Sequence, residues 1–406
     1  MTIDNKILEV TPDVKWIGVL DNDIVTFDVV METLYGTTYN SYFIDAEKKA
    51  IIETTKLQFW DTYLKKINEV CNPEEIEYII LNHTEPDHSG NLANLLKIAP
   101  NATVVGSGNA LRYLSDMIDT DFKQMQVKDG ESLSLGNKTL QFISAPNLHW
   151  PDSMFTWLVE DKVLFTCDSF GAHYCTEEMF DDLAGNYDES FKYYFDVILK
   201  PFSRFMLKAI EKIRPLDIQV ICPGHGPILR STWKQCVDKS EALAREALDY
   251  PEHNRVFIGY VSAYNNTGQM AKSIASGIQK AGIAEVTIVD LEHSSPAEID
   301  RELTRSSAIM LGSPVINQNI LLQVYQVFAS INPIRDRGKL AAAFGSYGWS
   351  GEGAKQIESN LSNLKLNLFE ENLFIKFKPH QKEIDQAESF GQRFGEQLLK
   401  HNEQPS

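Results

Sequence analysis

Four side chains able to bind metals crowd into six positions of this chain: His83, Glu85, Asp87 and His88, within Leu81-Asn82-His83-Thr84-Glu85-Pro86-Asp87-His88-Ser89-Gly90. The apolar run Tyr78-Ile79-Ile80-Leu81 before them has the length and composition of a buried strand. Pro86 cannot continue a central strand, and Ser89-Gly90 suits a turn into a helix over Asn91 to Ile98. The four candidates are therefore expected on a loop at a strand end. Alternate residues there can face two neighbouring ions, whereas a helix would need ligands three or four positions apart. So dense a mixture of ligand types sets the run apart from a polar turn with one exposed histidine. Three further candidates stand at comparable strand ends. His149 follows the stretch from Phe142 to Leu148, Asp168 follows Val163 to Cys167, and His225 follows Val220 to Gly224. The paired glycines of Gly224-His225-Gly226 let backbone crowd a site.

Other elements must position these residues. Short strands are expected at Val14 to Gly18, Thr38 to Ile44, Ala50 to Ile52, Thr103 to Gly106, Leu140 to Ile143, Phe155 to Val159, Val163 to Phe165 and Ile218 to Cys222. A helix is expected from Gln58 to Cys71. Two strand groups, each accompanied by helices, suggest facing sheets covered outside by helices. Between the candidate ligands, Phe191-Lys192-Tyr193-Tyr194-Phe195 carries aromatics, and His173 follows shortly after Asp168.

Asp249 to Asn254 reads as a linker. Beyond it strands and helices alternate. Strands are expected at Val256 to Val261, Val286 to Val289, Ala308 to Leu311, Leu340 to Phe344 and Leu373 to Phe377. Helices are expected at Thr267 to Lys280, Leu321 to Ile331 and Gln381 to His401. The pattern is that of a doubly wound, five-stranded parallel sheet. Three loops follow strand ends, where open α/β sheets bind ligands. The first is Ser262-Ala263-Tyr264-Asn265-Asn266-Thr267-Gly268, whose small polar side chains and helix-opening N–H groups suit a phosphate monoester. The second is Gly312-Ser313-Pro314-Val315-Ile316-Asn317. The third, Gly345-Ser346-Tyr347-Gly348-Trp349-Ser350-Gly351, offers close backbone approach and aromatics to flank a flat ring. The glycine-rich fingerprints of NAD and ATP sites are absent.

The 406 residues suggest two domains, 1–250 and 254–406. With 38 basic and 56 acidic residues the formal charge is -18, which argues against nucleic acid or an anionic membrane as partner. Five cysteines without a Cys-x-x-Cys pair provide no disulfide framework or rubredoxin-type module. Residues Met1 to Lys15 lack the marks of a signal or transit peptide, and no apolar run is long enough to span a membrane. A cytoplasmic protein is expected.

The order and spacing of His83, Glu85, Asp87, His88, His149, Asp168 and His225 resemble the metallo-β-lactamase superfamily, whose motif is His-x-His-x-Asp-His followed by His, Asp and His. Glu85 stands where the second histidine would be, which is the mark of the flavodiiron proteins. The second half is similar to short-chain flavodoxins, although Asn265 replaces a usual glycine. The resemblance implies an αββα sandwich over 1–250 holding two irons, and a flavodoxin-like sheet over 254–406 holding FMN. It places His83, Glu85 and His149 on one iron, Asp87 and His225 on the other, with His88 in or out and Asp168 bridging. More anionic oxygen ligands favour iron. Tyr193 or Tyr194 corresponds to a tyrosine beside the metals; His173, close after Asp168, either supports the ligands from behind or is merely packed. The implied activity is reduction of dioxygen to water, or of NO to nitrous oxide. A zinc hydrolase with a flavin-binding appendage is the more distant reading. An external electron donor is implied, whether a rubredoxin, a reduced deazaflavin or an NADH-linked reductase. The implied assembly is a head-to-tail homodimer or a dimer of dimers.

Overall fold

The computed structural model describes residues 6–27, 31–248 and 254–402. Its contacts divide the chain into two units, Met1–Ala247 and Leu248–Ser406. The expected linker from Asp249 lies, as far as residue 253, outside the described residues.

In the first unit alternation of side chains along short strands builds two large sheets. One has seven strands in the order Leu8–Thr11, Val14–Trp16, Tyr42–Ile44, Lys49–Ile52, Ile76–Ile80, Thr103–Gly106, Lys123–Gln126. The other has five: Ser132–Ser134, Thr139–Ser144, Met154–Leu158, Val163–Cys167 and Val220–Pro223. Tyr42, Ile44, Ile52, Ile80 and Val105 point inward from the first sheet and meet Leu140, Phe142, Leu158 and Phe165 from the second. Their sequence neighbours Phe43, Ile51, Ile79 and Val104 point outward, against Tyr63, Ile67, Leu92, Leu95 and Leu114 of three helices. This is the period of two that a sheet buried on both faces requires. The helices Asp188–Tyr194, Ser203–Ile213 and Trp233–Leu248 cover the outer face of the second sheet through residues such as Met206, Ile210 and Val237. The result is an αββα sandwich, in which each buried aliphatic side chain contributes about 1.5–3 kcal/mol.

Two local expectations are corrected. The strand expected from Thr38 to Ile44 is two strands: Thr37–Tyr39 pairs with Val19–Asp21, and Tyr42–Ile44 joins the large sheet. The break falls at Asn40, whose amide donates to the carbonyls of Pro223 and Gly226 (2.9 and 3.0 Å) and whose N–H donates to Gly224. The chain leaves the ladder there to brace the loop that carries His225. Second, Pro86–Ser89 is a short helical turn and not an open loop. Proline fits its first position because the missing N–H has no partner to lose there.

The second unit is a parallel sheet in the order Glu285–Asp290, Arg255–Tyr260, Ala308–Val315, Leu340–Tyr347, then an edge strand in two pieces, Asn367–Leu368 and Leu373–Lys376. Helices Asn266–Lys280 and Gln381–Asn402 pack on one face; Pro296–Arg305, Leu322–Ser330 and Gly353–Asn363 pack on the other. Two strands run further than their apolar cores suggest. Gly312 to Val315 pair in register with Phe344 to Tyr347, so most of the second loop and the start of the third are sheet. Among the described residues no helix is long and apolar enough to cross a membrane.

Candidate metal centre and flavin site

The strand Ile76–Ile80 delivers His83, Glu85, Asp87 and His88 to the same edge of the sandwich as Asp168, after Val163–Cys167, and His225, after Val220–Pro223. Their donor atoms form two groups. His83, Glu85, His149 and Asp168 offer atoms within 4.8 Å of one another, as do Asp87, His88 and His225. In the first, Glu85 Oε2 lies 3.1 Å from His83 Nε2 and 3.0 Å from His149 Nε2. In the second, Asp87 Oδ2 lies 3.1 Å from His225 Nε2 and 3.3 Å from His88 Nε2. Asp168 joins them: Oδ2 is 2.9 Å from His149 Nε2, while Oδ1 is 2.9 Å from His88 Nε2. His88 thus points into the site.

Both oxygens of Asp87 and both ring nitrogens of His88 are buried without a hydrogen-bond partner, although acids and imidazoles lie within 3.3 Å. Lone pairs aimed at a common point, and not at each other, are what ligands of a shared ion look like. Four imidazoles and three carboxylates make a mixed nitrogen and oxygen set suited to paired iron. The residues fit a two-metal centre.

The electrostatics follow from this crowding. Burial pulls the His149 imidazole down, but hydrogen bonds to Asp168 and Glu85 outweigh it and push it up to about 9. Burial likewise opposes His88, which Asp87 and Asp168 push up to about 9. Burial would raise Glu85 and Asp168, yet His149 and His83 beside the first, and His88 and His149 beside the second, hold them below the usual carboxylate range. Glu53, fully buried at the end of Lys49–Ile52, is pushed up to about 8 by burial; its Oε1 accepts from the N–H of Asn82 (2.8 Å).

A second layer holds the histidines. His225 Nδ1 donates to the Thr38 carbonyl at 2.6 Å. Gly224 leaves room for its neighbours: a Cβ there would sit 2.7 Å from His88 Cε1 and 3.1 Å from the Cys167 carbonyl carbon. Of the two tyrosines, Tyr193 is 41% exposed, whereas Tyr194 is buried with its ring centroid 4.8 Å from His173 and 6.1 Å from His225. Its hydroxyl has no partner, and burial pushes the phenol well above its ordinary value, so it stays protonated. His173 takes a bond from Thr37 Oγ1 at Nδ1 (2.8 Å), leaving buried Nε2 unpartnered.

In the second unit the first loop opens the helix Asn266–Lys280. Asn265 adopts φ +59°, the left-handed region that asparagine tolerates in place of glycine. Ser262 Oγ accepts from the N–H of Gly268 (3.3 Å), and Ala263 and Tyr264 are exposed. Thr267 Oγ1 and Ser346 Oγ, 3.4 Å apart, join the first loop to the third. Ser313, Pro314 and Val315 end a strand, after which Ile316–Asn319 closes a tight turn with Asn317 and Gln318 at positive φ. Tyr347 ends the next strand, and Gly348, Trp349, Ser350 and Gly351 follow it. Tyr264 and Trp349 are 85% and 83% exposed, two flat apolar rings left in water on the loops where a flat ligand would bind. Phe377, expected as the last residue of a strand, lies beyond it at the candidate flavin site: 59% exposed, it is 3.3 Å from where a Cβ on Gly348 would be. No motif marks it, because it stands one residue past an edge strand. The donors and rings fit a flavin mononucleotide.

Known proteins match both units. Residues 37–226 match the family model "ODP family beta lactamase", and residues 258–391 match "Flavodoxin". A "Type A flavoprotein fprA" of Rhodobacter capsulatus is 40% identical over 395 residues, 96% of this chain and 91% of that protein. The "Flavo-diiron protein FprA2" of Clostridium acetobutylicum is 37% identical, covering 96% and 99% of the two chains. Among solved structures, rubredoxin oxygen:oxidoreductase from Desulfovibrio gigas is 28% identical with a TM-score of 0.74, over 98% of this chain and 100% of that one. A flavodiiron protein from Giardia intestinalis is 29% identical with a TM-score of 0.71, over 98% of each.

Proposed function

This chain belongs to the flavodiiron protein family, and we propose that within it the protein reduces dioxygen to water at the centre formed by His83, Glu85, His149, Asp168, Asp87, His88 and His225. It is an oxidoreductase with a di-iron site and FMN. The observation that carries the reading is the placing of Asp168, whose two oxygens face two separate donor groups at 2.9 Å each. When bound, the iron pair and FMN together store the four electrons that dioxygen needs, and two of these suffice for two molecules of NO.

The chain's own residues do the rest. Glu85 and Asp87 each stand between two histidines, so each metal position carries its own negative charge. Tyr194 and His173 present an O–H and an N–H with no protein acceptor beside His225, suited to hold an oxygen atom of the substrate. The aromatic wall of Phe27 and Tyr39 against His225 limits the access of water. In the second unit the opening of Asn266–Lys280 would hold the phosphate, and Tyr264, Trp349 and Phe377 would flank the ring. We assign residues 1–250 to the metal domain and 254–406 to the flavin domain.

Electrons come from outside the chain, from a rubredoxin, a reduced deazaflavin or an NADH-linked reductase; the Desulfovibrio protein is named for rubredoxin. A head-to-tail homodimer, or a dimer of such dimers, would bring one chain's flavin to the other's metals. Five cysteines, none of them in a disulfide, accord with a cytoplasmic setting. The test is stopped-flow oxidation of the fully reduced, anaerobically purified protein, with iron and flavin content measured on the same sample. Dioxygen should reoxidise it faster than NO; the opposite order makes it an NO reductase, and two zinc ions without iron would replace the reading with a hydrolase.

A further inference from the structure

His83 differs from the other ligand histidines in what stands behind it. Its Nδ1 lies 3.6 Å from Asp152 Oδ1, slightly beyond a formed hydrogen bond, and neither atom has a hydrogen-bond partner. Both residues are buried. Asp152 is fixed from its far side: Oδ2 accepts from the Thr84 N–H (2.9 Å) and from Thr84 Oγ1 (2.7 Å), while its main-chain carbonyl accepts from Ser107 Oγ (2.9 Å). A carboxylate held so firmly in the interior carries a large desolvation cost unless something answers its charge. The imidazole of His83 is placed to do so.

The second metal position is built otherwise. His225 Nδ1 already donates to a neutral main-chain carbonyl at 2.6 Å. His88 Nδ1 has no acceptor. Beside His88 stands the buried carboxyl of Glu53, an oxygen of which lies within 4.8 Å of a ring nitrogen without a hydrogen bond between them, so Asp152 backs the first position only.

We propose that Asp152 is a positioning residue for one metal position alone: it receives the Nδ1–H of His83, fixes the tautomer that turns Nε2 toward Glu85 and His149, and strengthens that nitrogen as a donor. This rests on the di-iron reading. A carboxylate behind a ligating histidine raises its basicity, and losing such a partner costs about 10–100-fold in metal affinity. The ion between His83, Glu85 and His149 is then the one whose affinity depends on Asp152.

The experiment uses full-length, metal-free protein titrated with Co(II), each binding step followed by its visible absorption. Asp152→Asn should weaken one step about 10–100-fold and leave the other unchanged. Thr84→Val, which removes one of the two bonds to Asp152 without altering a metal-site residue, should weaken the same step by a smaller factor. It also decides the matter should Asp152→Asn fail to fold. On the iron-loaded variants, the range of potentials over which the half-reduced centre shows its mixed-valence EPR signal should shift, a change that mere loosening of the fold does not produce. Equal weakening of both steps, or of neither, overturns the inference. Wild-type protein that takes up no Co(II) would instead sink the metal reading beneath it.

Discussion

Protons and metal compete for the same nitrogens, and the competition has a sign. His88 and His149 are pushed up to about 9 and Glu53 to about 8 in the folded, metal-free chain. The unfolded chain releases these protons near 6.5 for histidine and 4.5 for glutamate. Between pH 7 and 9 the folded state therefore binds more protons, so the stability these groups contribute is lost as pH rises through that window. His173, whose value burial depresses, has already made its full contribution above 6.5 and adds no slope there. Urea midpoints of the metal-free protein should fall from pH 7 to 9, whereas metal affinity should rise, because ligand histidines bind in the neutral form. A midpoint that rises with pH in the metal-free protein would refute this. Gly224 supplies a steric counterpart. Its alanine variant puts a methyl 2.7 Å from His88 Cε1 and 3.1 Å from the Cys167 backbone. The expected cost is about 1–3 kcal/mol, with His88 pushed off its metal position. Chemical denaturation and metal content read the two effects separately, and full occupancy at wild-type stability would show that the loop yields. At this scale the side chains that converge on the candidate metal centre were legible because they lie in one dense run and three strand ends. Asp152 and Glu53 were not, since each meets its partner only after folding. Nor could sequence choose between Tyr193 and Tyr194, adjacent residues that a helix turns to opposite environments.

Elements were legible where apolar period and strand length agree, and misread where hydrogen bonding overrules composition. Gly312 to Val315 and Gly345 to Tyr347 look like loops, yet they extend two strands because each supplies the other's ladder partners. Asn40 interrupts an apparent strand because its amide is committed to the His225 loop. The edge strand after Asn367 is divided, which no change in hydropathy announces. Helix contact was also invisible in the pattern. A Cβ on Gly277 would fall 1.8 Å from the Glu388 carbonyl oxygen, and one on Gly391 would fall 2.1 Å from that of Ile274, so Asn266–Lys280 and Gln381–Asn402 touch backbone to backbone. Gly277→Ala must push them apart, at a cost of about 1–3 kcal/mol. Because the first of these helices opens at the Asn265 loop, the displacement should carry to its N-terminus and weaken FMN. A fluorescence titration of the flavin-free variant should show a higher Kd than wild type. An unchanged Kd with reduced stability would mean that the loop is held by the sheet alone.

At the scale of the molecule, the two units each bury their own cores and each present one cofactor site. Neither site contains the residues of the other. Electron transfer between them therefore depends on which chain's flavin meets which chain's metals, and the two possibilities predict different outcomes for a mixture of damaged chains. Asp168→Ala removes the residue shared by both metal groups but leaves the flavin loops intact. Thr267→Glu sets a carboxylate in the first turn of Asn266–Lys280, where it repels the flavin phosphate, and leaves the metal groups intact. Neither variant alone can turn over. In a head-to-tail mixed dimer the flavin of the first variant meets the metals of the second, so one of two sites works, and isologous symmetry guarantees that the other does not. Were each flavin to serve the metals of its own chain, the mixed dimer would be as inactive as its parents. Co-expression with two affinity tags isolates the mixed species. Its dioxygen consumption, driven by a reduced deazaflavin so that no protein donor is required, should be a substantial fraction of wild type. Complete inactivity of a mixed dimer that carries iron and FMN at half the wild-type content would rule out transfer between subunits.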